Sequence, residues 1–278
     1  MLSARPLRSP ESAYDGSRVL RITRTVRFAV GGDSPNAAPE PDNSFAGAPS
    51  MHGLGAHYEL DVSCRGEADP TTGYFINIKA IDRATRDVAI PLISDAFRMK
   101  GARSACVLRD VFESLKGALP QLDRVRWRMT PTFSIELERD NMNAVLLRQR
   151  FEFAAAHRLH VPELSDAENQ DIFGKCNNPA GHGHNYHIEP CVQAPIGDGA
   201  PALTLQDLER ITRETLIDHL DHKHLNADVP EFADLNPSVE NIARVCFERL
   251  APEIQSSGAE LREITVWETE KTSCVYPA

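Results

Sequence analysis

The sequence predicts an α+β protein built from an antiparallel sheet with two helices on one face, and it predicts this arrangement twice. Each half opens with segments of alternating, β-branched composition, continues with two segments of helical spacing, and closes with further strand-like segments. Short sequence matches also occur in the same order in both halves. The 278 residues are enough for two units of ordinary size.

The composition favours a globular protein and argues against two classes of function. Apolar residues make up 41% of the chain, charged residues 25%, and the formal net charge is −10. Nucleic-acid binding is not expected as the main activity, because a phosphate backbone requires a basic face; a local basic pocket can still bind a small anion. The sequence has no apolar run of about 18 residues, and its N-terminus lacks a signal-peptide core, so we expect no membrane partner.

The cysteines indicate the redox compartment. Six cysteines are scattered without the spacing of a disulfide framework. We therefore expect reduced thiols in a cytoplasmic protein, with most of them serving as small core or surface residues.

In the first half, strands and helices are predicted in blocks. Four segments alternate like strands: 18–30, 57–65, 74–78 and 125–138. Two segments have helical spacing: 79–96 and 102–119. Residues 31–50, rich in Gly, Pro, Ala and Asn, are expected to form a loop, and residues 66–73 a turn.

The second half repeats this order. Four segments are predicted as strands: 150–157, 184–194, 263–269 and 272–276. A long loop is expected between the first of these and Gly181. The first helix, 204–220, begins with a capping box of Thr204 and Asp207. The second is expected to begin at Asn236-Pro237, since proline suits a first helical turn.

Three short matches relate the two halves. They pair Phe28-Ala29 with Phe153-Ala154, Thr85-Arg86-Asp87 with Thr212-Arg213-Glu214, and Trp127 with Trp267. Each match is sparse, but their order is preserved. We interpret them as a tandem duplication, with units 1–147 and 148–278 joined near 138–147.

The histidines mark a candidate metal site. Eight of the ten histidines lie between His157 and His224, and two of them form the motif His182-Gly183-His184. Alternate residues of a strand project to one face, so this motif aims two imidazoles at the same point. His157 ends the preceding predicted strand and supplies a third. Three such ligands with an open fourth position are typical of catalytic zinc.

Most of residues 150–278 resemble the 6-pyruvoyl-tetrahydropterin synthase family. The resemblance is carried by seven segments in family order: 153–159, 164–169, 173–186, 220–226, 229–234, 239–241 and 267–269. The Cys-x5-His-x-His run at Cys176 and the pair Asp221-His222 are its most specific parts. The family implies the tunnelling fold, whose units assemble into barrels, and a zinc-dependent lyase that converts 7,8-dihydroneopterin triphosphate to 6-pyruvoyl-tetrahydropterin and triphosphate.

The resemblance implies roles for individual residues. It makes His157, His182 and His184 the zinc ligands, with the metal acting as a Lewis acid on the substrate side chain. It makes Cys176 the general base and Asp221-His222 the pair that activates it or acts as a second acid/base.

The same resemblance implies a site for the pterin ring. Glu268 would accept two parallel hydrogen bonds from the pterin. Ser238 and Glu240, near the start of the second helix, are further candidates for substrate binding.

Each of these residues also has a plainer interpretation. Cys176 can be a small buried residue, Glu268 an exposed strand residue, and Asp221-His222 a charge pair at a helix end. For Ser238 and Glu240 the competing interpretation is helix capping. A related enzyme that makes 6-carboxytetrahydropterin for deazapurine biosynthesis, and a non-catalytic zinc-stabilised pterin-binding protein, remain alternatives for the function.

The first half departs from the site pattern, and 196–203 departs from the family hairpin. Aligned by the matches above, the metal ligands are replaced by Gly32, Leu54 and Ala56. Ser94-Asp95 replaces Asp221-His222, and Arg128 replaces Glu268. We expect Arg128 to form a surface salt bridge; the alternative is that it points into a neighbouring pocket and attracts phosphate. We expect the first half to bind no catalytic zinc. Since single-unit relatives form barrels from several subunits, a homo-oligomer such as a trimer of two-unit chains is expected.

Overall fold

The structure, a computed structural model, describes residues 19–31, 55–197 and 200–278. Most of the predicted loop 31–50, together with His52, lies outside the described residues. Within the described part of the chain, no helix is both long enough and apolar enough to cross a membrane.

The strands follow the predicted order. They are β1 (Val19–Val30), β2 (Ala56–Glu67), β3 (Leu122–Arg128), β4 (Phe133–Glu138), β5 (Asn141–Gln149), β6 (Phe151–His157), β7 (His182–Gly197), β8 (Ala200–Pro201), β9 (Lys223–His224), β10 (Glu260–Thr269) and β11 (Thr272–Tyr276). They join in the order β1-β2-β3-β4-β5-β7-β10-β11, and β6 also pairs with β7. Apart from the parallel pair β6–β9, the pairings are antiparallel, as predicted for an α+β fold.

The two halves have the same strand order. In the first half β1 pairs with β2, β2 with β3 and β3 with β4. In the second half β6 pairs with β7, β7 with β10 and β10 with β11. Strand β5 pairs with β4 on one side and with β7 on the other, so the halves share one continuous sheet.

In each half, helices lie between the second and third long strands, and in the second half one more helix lies between the first two. They are α1 (Ile78–Ala84), α2 (Ile90–Arg98), α3 (Ser104–Ala118), α4 (Asp166–Phe173), α5 (Leu205–Thr212), α6 (Asp218–Leu220), α7 (Leu225–Asp228) and α8 (Val239–Ser256). A π turn joins α1 to α2 at Thr85–Ala89, and another joins α5 to α6 at Arg213–Ile217. These turns coincide with the sequence match between Thr85-Arg86-Asp87 and Thr212-Arg213-Glu214. Both halves therefore have a π turn at the same point of the first long helical segment after their second strand.

The core lies between the helices and one face of the sheet. Alternate strand residues such as Phe28, Leu60 and Ile188 are fully buried there against helix residues such as Phe112 and Leu250. Each large apolar side chain buried this fully contributes about 1.5–3 kcal/mol. The opposite face carries charged side chains that pair with one another across neighbouring strands, such as Arg128 with Asp61 at 2.6 Å.

The predicted strand 74–78 is wrong. The Asp69 carboxylate accepts hydrogen bonds from the backbone N–H groups of Thr71 and Thr72, which closes a turn. Asn77 then caps α1 by accepting from the N–H of Lys79. The ring of Phe75 folds onto Gly66, where a Cβ would lie 2.1 Å away, so this segment packs as a loop.

Three other boundaries differ from prediction. The segment 125–138 is a hairpin, β3 and β4, and the joining segment 138–147 is largely strand β5, which crosses the proposed unit boundary. The long loop before Gly181 contains α4 and a 3-10 turn, Gly174–Asn177.

The last helix also begins later than predicted. Helix α8 starts at Val239 with Ser238 as its N-cap, so Pro237 lies outside it. The capping box of Thr204 and Asp207 is confirmed. Strand β8, which pairs with the end of β7, has only two residues. The departure of 196–203 from the family hairpin stays a prediction.

Candidate metal and catalytic site

Three histidines meet where β6 ends and β7 begins. His157 is the last residue of β6 and lies directly opposite His182, the first residue of β7. His184 follows two residues later and therefore projects to the same face of the sheet. The ladder thus brings together residues that are 25 and 27 positions apart in the sequence.

The imidazole nitrogens converge closely. The Nε2 atoms of His157 and His182 are 3.1 Å apart. One ring nitrogen from each of His157, His182 and His184 lies within 4.8 Å of the others, which is the spacing expected around a single metal ion.

The surroundings of His157 decide which of its nitrogens is available. Its Nδ1 lies 2.7 Å from the carbonyl oxygen of Pro237, so Nδ1 carries the proton and Nε2 keeps its lone pair. The side chain is fully buried. Burial is the main cause that lowers the pKa of His157 from 6.5 to about 4; the Pro237 hydrogen bond opposes it, and the neighbouring histidines add to the lowering.

The cluster has the properties of a metal site. Burial and the nearby His184 also lower the pKa of His182, so two of the rings stay neutral near pH 7. His182 Nδ1 and His184 Nε2 are buried without a hydrogen-bond partner. Neutral imidazoles whose nitrogens converge in this way can bind zinc or another first-row divalent metal.

Glu268 reaches the same cluster from β10. Its Oε1 lies 3.5 Å from His157 Nε2 and 3.8 Å from His184 Nε2. The pairing of β10 with β11 shifts register between Trp267 and Thr269, so Glu268 is the extra residue of a β-bulge. Bulges next to active sites redirect a side chain, and this one directs a carboxylate at the histidines.

Asp221 and His222 are held beside β6, immediately before the short strand β9 that pairs with it. The Asp221 carboxylate accepts from the N–H of Ala154 at 2.8 Å and from His222 Nδ1 at 2.8 Å. The N–H of His222 donates to the carbonyl of Ala154 at 2.6 Å. His222 has φ of 57°, the left-handed region that is costly for a residue other than glycine.

These contacts give the pair an acid/base geometry. The hydrogen bond from Ala154, followed by the contact with His222, lowers the pKa of Asp221, so this carboxylate stays charged and orients the imidazole. The His222 ring is largely exposed and lines the same open cleft as His184 and Glu268.

Cys176 lies in the 3-10 turn that precedes β7. Its carbonyl accepts from the N–H of Leu159, two residues past His157, which ties this turn to the metal-site strand. Cys176 is half-buried. Burial raises the pKa of Tyr186, and electrostatic interactions with Glu268 and Cys176 add to this effect, so the three side chains lie near one another.

Ser238 and Glu240 take part in capping. The Ser238 hydroxyl accepts from the N–H of Asn241 as the N-cap of α8. It also hydrogen-bonds the Glu240 carboxylate, which lowers the pKa of Glu240. Glu240 remains exposed in the first turn of the helix.

Three contributors to the site escaped prediction from the sequence. Pro237 supplies the carbonyl that orients His157, although the sequence marked it only as a helix start. The hydroxyl of Tyr186 lies 3.3 Å from His157 Nδ1. His224 packs on Gly181, and the glycine itself was the only sequence signal, since Gly181 has a positive φ of 72°.

Aromatic pairs define comparable positions in the two halves. They are Phe28 opposite Tyr58 and Phe153 opposite Tyr186. When the halves are aligned on these pairs, Ala56 occupies the position of His184, as expected. Gly32 and Leu54 lie outside the described residues.

The predicted match of the two tryptophans is wrong by one residue. Trp127 lies opposite Leu60, which is two residues after Tyr58. Trp267 lies opposite His187, which is only one residue after Tyr186. The two side chains therefore point to opposite faces of the sheet: Trp127 is in the core and Trp267 is half-exposed.

The register error changes the counterpart of Glu268. Met129, rather than Arg128, stands at that position in the first half. Arg128 projects to the other face and pairs with Asp61 at 2.6 Å, so the expected salt bridge is confirmed. Ser94-Asp95 lies inside α2, which continues to Arg98, and so lacks the break after α6 that exposes Asp221-His222.

Comparisons with known proteins place residues 146–278 in one family. The profile described as 6-pyruvoyl tetrahydropterin synthase matches those residues. The 6-pyruvoyl tetrahydrobiopterin synthase of Poecilia reticulata is 42% identical over 125 residues, which are 45% of this chain and 84% of that protein. The Homo sapiens protein of the same name is 40% identical over 129 residues, 46% of this chain and 88% of that protein.

A solved structure gives a further comparison. The 6-pyruvoyl tetrahydropterin synthase of Caenorhabditis elegans is 35% identical and aligns with 49% of this chain and 96% of its own, with a TM-score of 0.45. On the strength of the sequence matches, the chain belongs to the 6-pyruvoyl tetrahydropterin synthase family and is a lyase of that type.

Proposed function

We propose that residues 148–278 convert 7,8-dihydroneopterin triphosphate to 6-pyruvoyl-tetrahydropterin with elimination of triphosphate. The proposal rests on one observation above all. His157, His182, His184 and Glu268 converge at one end of a cleft that His222 also lines, in a chain of this family. We propose zinc as the metal held by the three histidines.

The protein's own residues would divide the proton transfers. Bound zinc would supply Lewis acidity to the hydroxyl groups of the substrate side chain. Cys176 would take a proton from a side-chain carbon as a thiolate, and His222, oriented by Asp221, would act as the second acid/base. Glu268 would anchor the pterin through two hydrogen bonds, with Ser238 and Glu240 as further substrate contacts.

Product analysis tests this proposal directly. Purified protein incubated with 7,8-dihydroneopterin triphosphate should release triphosphate and yield 6-pyruvoyl-tetrahydropterin by mass spectrometry. Formation of 6-carboxytetrahydropterin with acetaldehyde would instead assign the related carboxy-forming activity. Binding of the substrate without turnover would support a non-catalytic, zinc-stabilised pterin-binding protein.

Cys176 provides the sharpest test of the mechanism. Cys176→Ala should reduce kcat by roughly 100-fold or more while metal content stays unchanged, because the thiol is not a metal ligand. Cys106→Ala is a matched control in the other half. Wild-type turnover by the Cys176→Ala protein would remove it as the base.

We also propose that residues 1–147 form a second unit of the tunnelling fold that has lost the metal chemistry. The shared strand order and the paired π turns support this. Such units would complete barrels in a cytoplasmic homo-oligomer, such as a trimer of two-unit chains. Light scattering that shows a stable monomer would contradict this assembly.

A further inference from the structure

We propose that Glu231 is a positioning residue for His222, the proposed second acid/base. Its carboxylate bridges His219 and Arg249. This bridge joins the two ends of the 219–231 segment to each other and to helix α8, so it restrains the chain that carries His222. The effect on catalysis rests on the proposed function, whereas the restraint itself can be measured without turnover.

The imidazole of His222 has little support of its own. Its side chain is 83% exposed, so packing around the ring contributes little to its direction. Its backbone has φ of 57°, a strained conformation that persists only where the surrounding structure holds it. Hydrogen bonds with Ala154 hold one side of this corner. The direction of the ring therefore also depends on how the two ends of the segment are held.

The bridge connects the chain on both sides of His222. Glu231 Oε2 accepts from His219 Nε2 at 2.9 Å, and Glu231 Oε1 accepts from Arg249 Nη1. His219 lies in α6, just before the corner, whereas Glu231 lies in the 3-10 turn Pro230–Phe232. The contact thus closes the segment at its base.

Arg249 attaches this base to the rest of the half. It lies on α8, and its Nε donates to the carbonyl of Thr215 at 3.4 Å, in the π turn that precedes α6. The side chains of His219, Glu231 and Arg249 are 23–33% exposed, so solvent screens their contacts only in part. One carboxylate therefore receives donors from the start of the segment and from α8.

The chemistry of the bridge defines what can replace His219. Burial acts to raise the pKa of Glu231, but the hydrogen bonds from His219 and Arg249 outweigh it and lower the pKa, so the carboxylate stays charged. Because a carboxylate only accepts, His219 must present an N–H at Nε2. A neutral donor of the same reach should therefore preserve the bridge.

Apolar burial also holds the segment but leaves its direction open. Three of its apolar side chains are at most 2% exposed: Leu220, Leu225 and Val229. Apolar contacts are non-directional, so they fix the depth of the segment and not the rotation of the corner at His222. Hydrogen bonds are directional and can fix that rotation. If burial alone set the corner, removal of the Glu231 carboxylate would leave His222 unchanged.

The kinetic test compares Glu231→Ala, His219→Asn and His219→Gln. The glutamine amide N–H has about the reach of the histidine Nε2, whereas that of asparagine is too short. Glu231→Ala and His219→Asn should lower kcat about tenfold with little change in KM, because His222 is misdirected while the proposed pterin contacts stay. His219→Gln should keep the wild-type kcat. Glu248→Ala is the matched control, since Glu248 is exposed on α8 and pairs only distantly with Arg244, at 4.0 Å.

Amide hydrogen exchange tests the restraint without turnover. The N–H of His222 donates to the carbonyl of Ala154, so its exchange rate reports opening of the corner. This rate should rise at least about tenfold in Glu231→Ala and His219→Asn, and stay at the wild-type value in His219→Gln. The N–H of Leu159, which donates to Cys176, should exchange at the wild-type rate in all variants.

Three results would overturn the inference. Wild-type exchange of the His222 amide in Glu231→Ala would show that the carboxylate does not restrain the corner. Equal behaviour of His219→Gln and His219→Asn would show that the hydrogen bond is unimportant. Faster exchange with an unchanged kcat would leave Glu231 a merely structural residue. A wild-type protein without turnover would count against the proposed function, and the exchange rates would still decide whether Glu231 restrains His222.

Discussion

The imidazole of His224 packs directly on the α-carbon of Gly181, the residue that precedes the two strand histidines. A Cβ at Gly181 would lie 2.7 Å from His224 Nε2 and 3.1 Å from the carbonyl oxygen of His157. The contact lies immediately before β7, which begins at His182.

Gly181→Ala should lower stability and metal affinity together. The positive φ of 72° and the two close contacts predict a loss of about 1–3 kcal/mol of unfolding free energy. Zinc affinity should fall because the start of β7 must shift. Chemical denaturation and chelator competition would measure the two effects.

Two other glycines serve as controls for that substitution. A Cβ at Gly183 would make only an ordinary contact of 3.7 Å, so Gly183→Ala should retain metal binding. Gly174 has φ of 53° with nothing within 4 Å, so Gly174→Ala adds backbone strain without crowding the site. Equal loss of metal affinity in all three variants would show that the His224 contact is unimportant.

Asp221→Asn and Asp221→Ala should separate catalysis from folding. The amide can still accept from the N–H of Ala154, so Asp221→Asn should keep its stability, whereas Asp221→Ala should lose about 1 kcal/mol. Both variants lose the charge that orients His222, and kcat should fall roughly 100-fold in each. Steady-state kinetics with thermal unfolding would check this.

Asp228→Asn is the matched control, because Asp228 accepts from the N–H of His224 and not from the His222 ring. It should leave kcat close to the wild-type value. A similar fall in kcat for Asp228→Asn would point to disturbance of the whole segment instead of a specific role for Asp221.

The metal-free protein should lose stability as the pH falls from about 6.5 to 4. In this window the unfolded chain takes up a proton at His157, while the folded protein, in which burial lowers the pKa to about 4, does not. The contribution is on the order of 3 kcal/mol at the acid end. His157→Gln should flatten the curve of unfolding free energy against pH by this amount, and parallel curves for the two proteins would contradict the prediction.

One metal ion should bind per chain. Among residues 19–31, 55–197 and 200–278, one group of three converging metal-ligating side chains is found, and it lies in the second half. Elemental analysis should give one zinc per chain, falling to near zero in His184→Ala. His219→Ala is the control, since His219 pairs with Glu231 at 2.9 Å, and two zinc ions per chain would refute a metal-free first half.

Local sequence patterns predicted secondary structure best where it depends on one buried face of a strand or on one helix cap. The strands around Phe28 and Ile188 and the capping box at Thr204 were recognisable because alternation and capping act over a few residues. The segment 74–78 has a strand-like composition, yet the Asp69 turn and the packing of Phe75 on Gly66 decide otherwise. Contacts between distant residues outweigh the weak preference of a short segment.

The ligand types and their spacing could be recognised in the sequence: His182 and His184 two apart on a strand, Cys176 shortly before them, and Asp221 beside His222. How these side chains are arranged depends on tertiary contacts. The pairing of β6 with β7 sets His157 opposite His182, the Pro237 carbonyl selects its tautomer, and the bulge turns Glu268 toward the cluster. Sheet register and hydrogen-bond direction depend on residues far apart in the chain, so no local pattern records them.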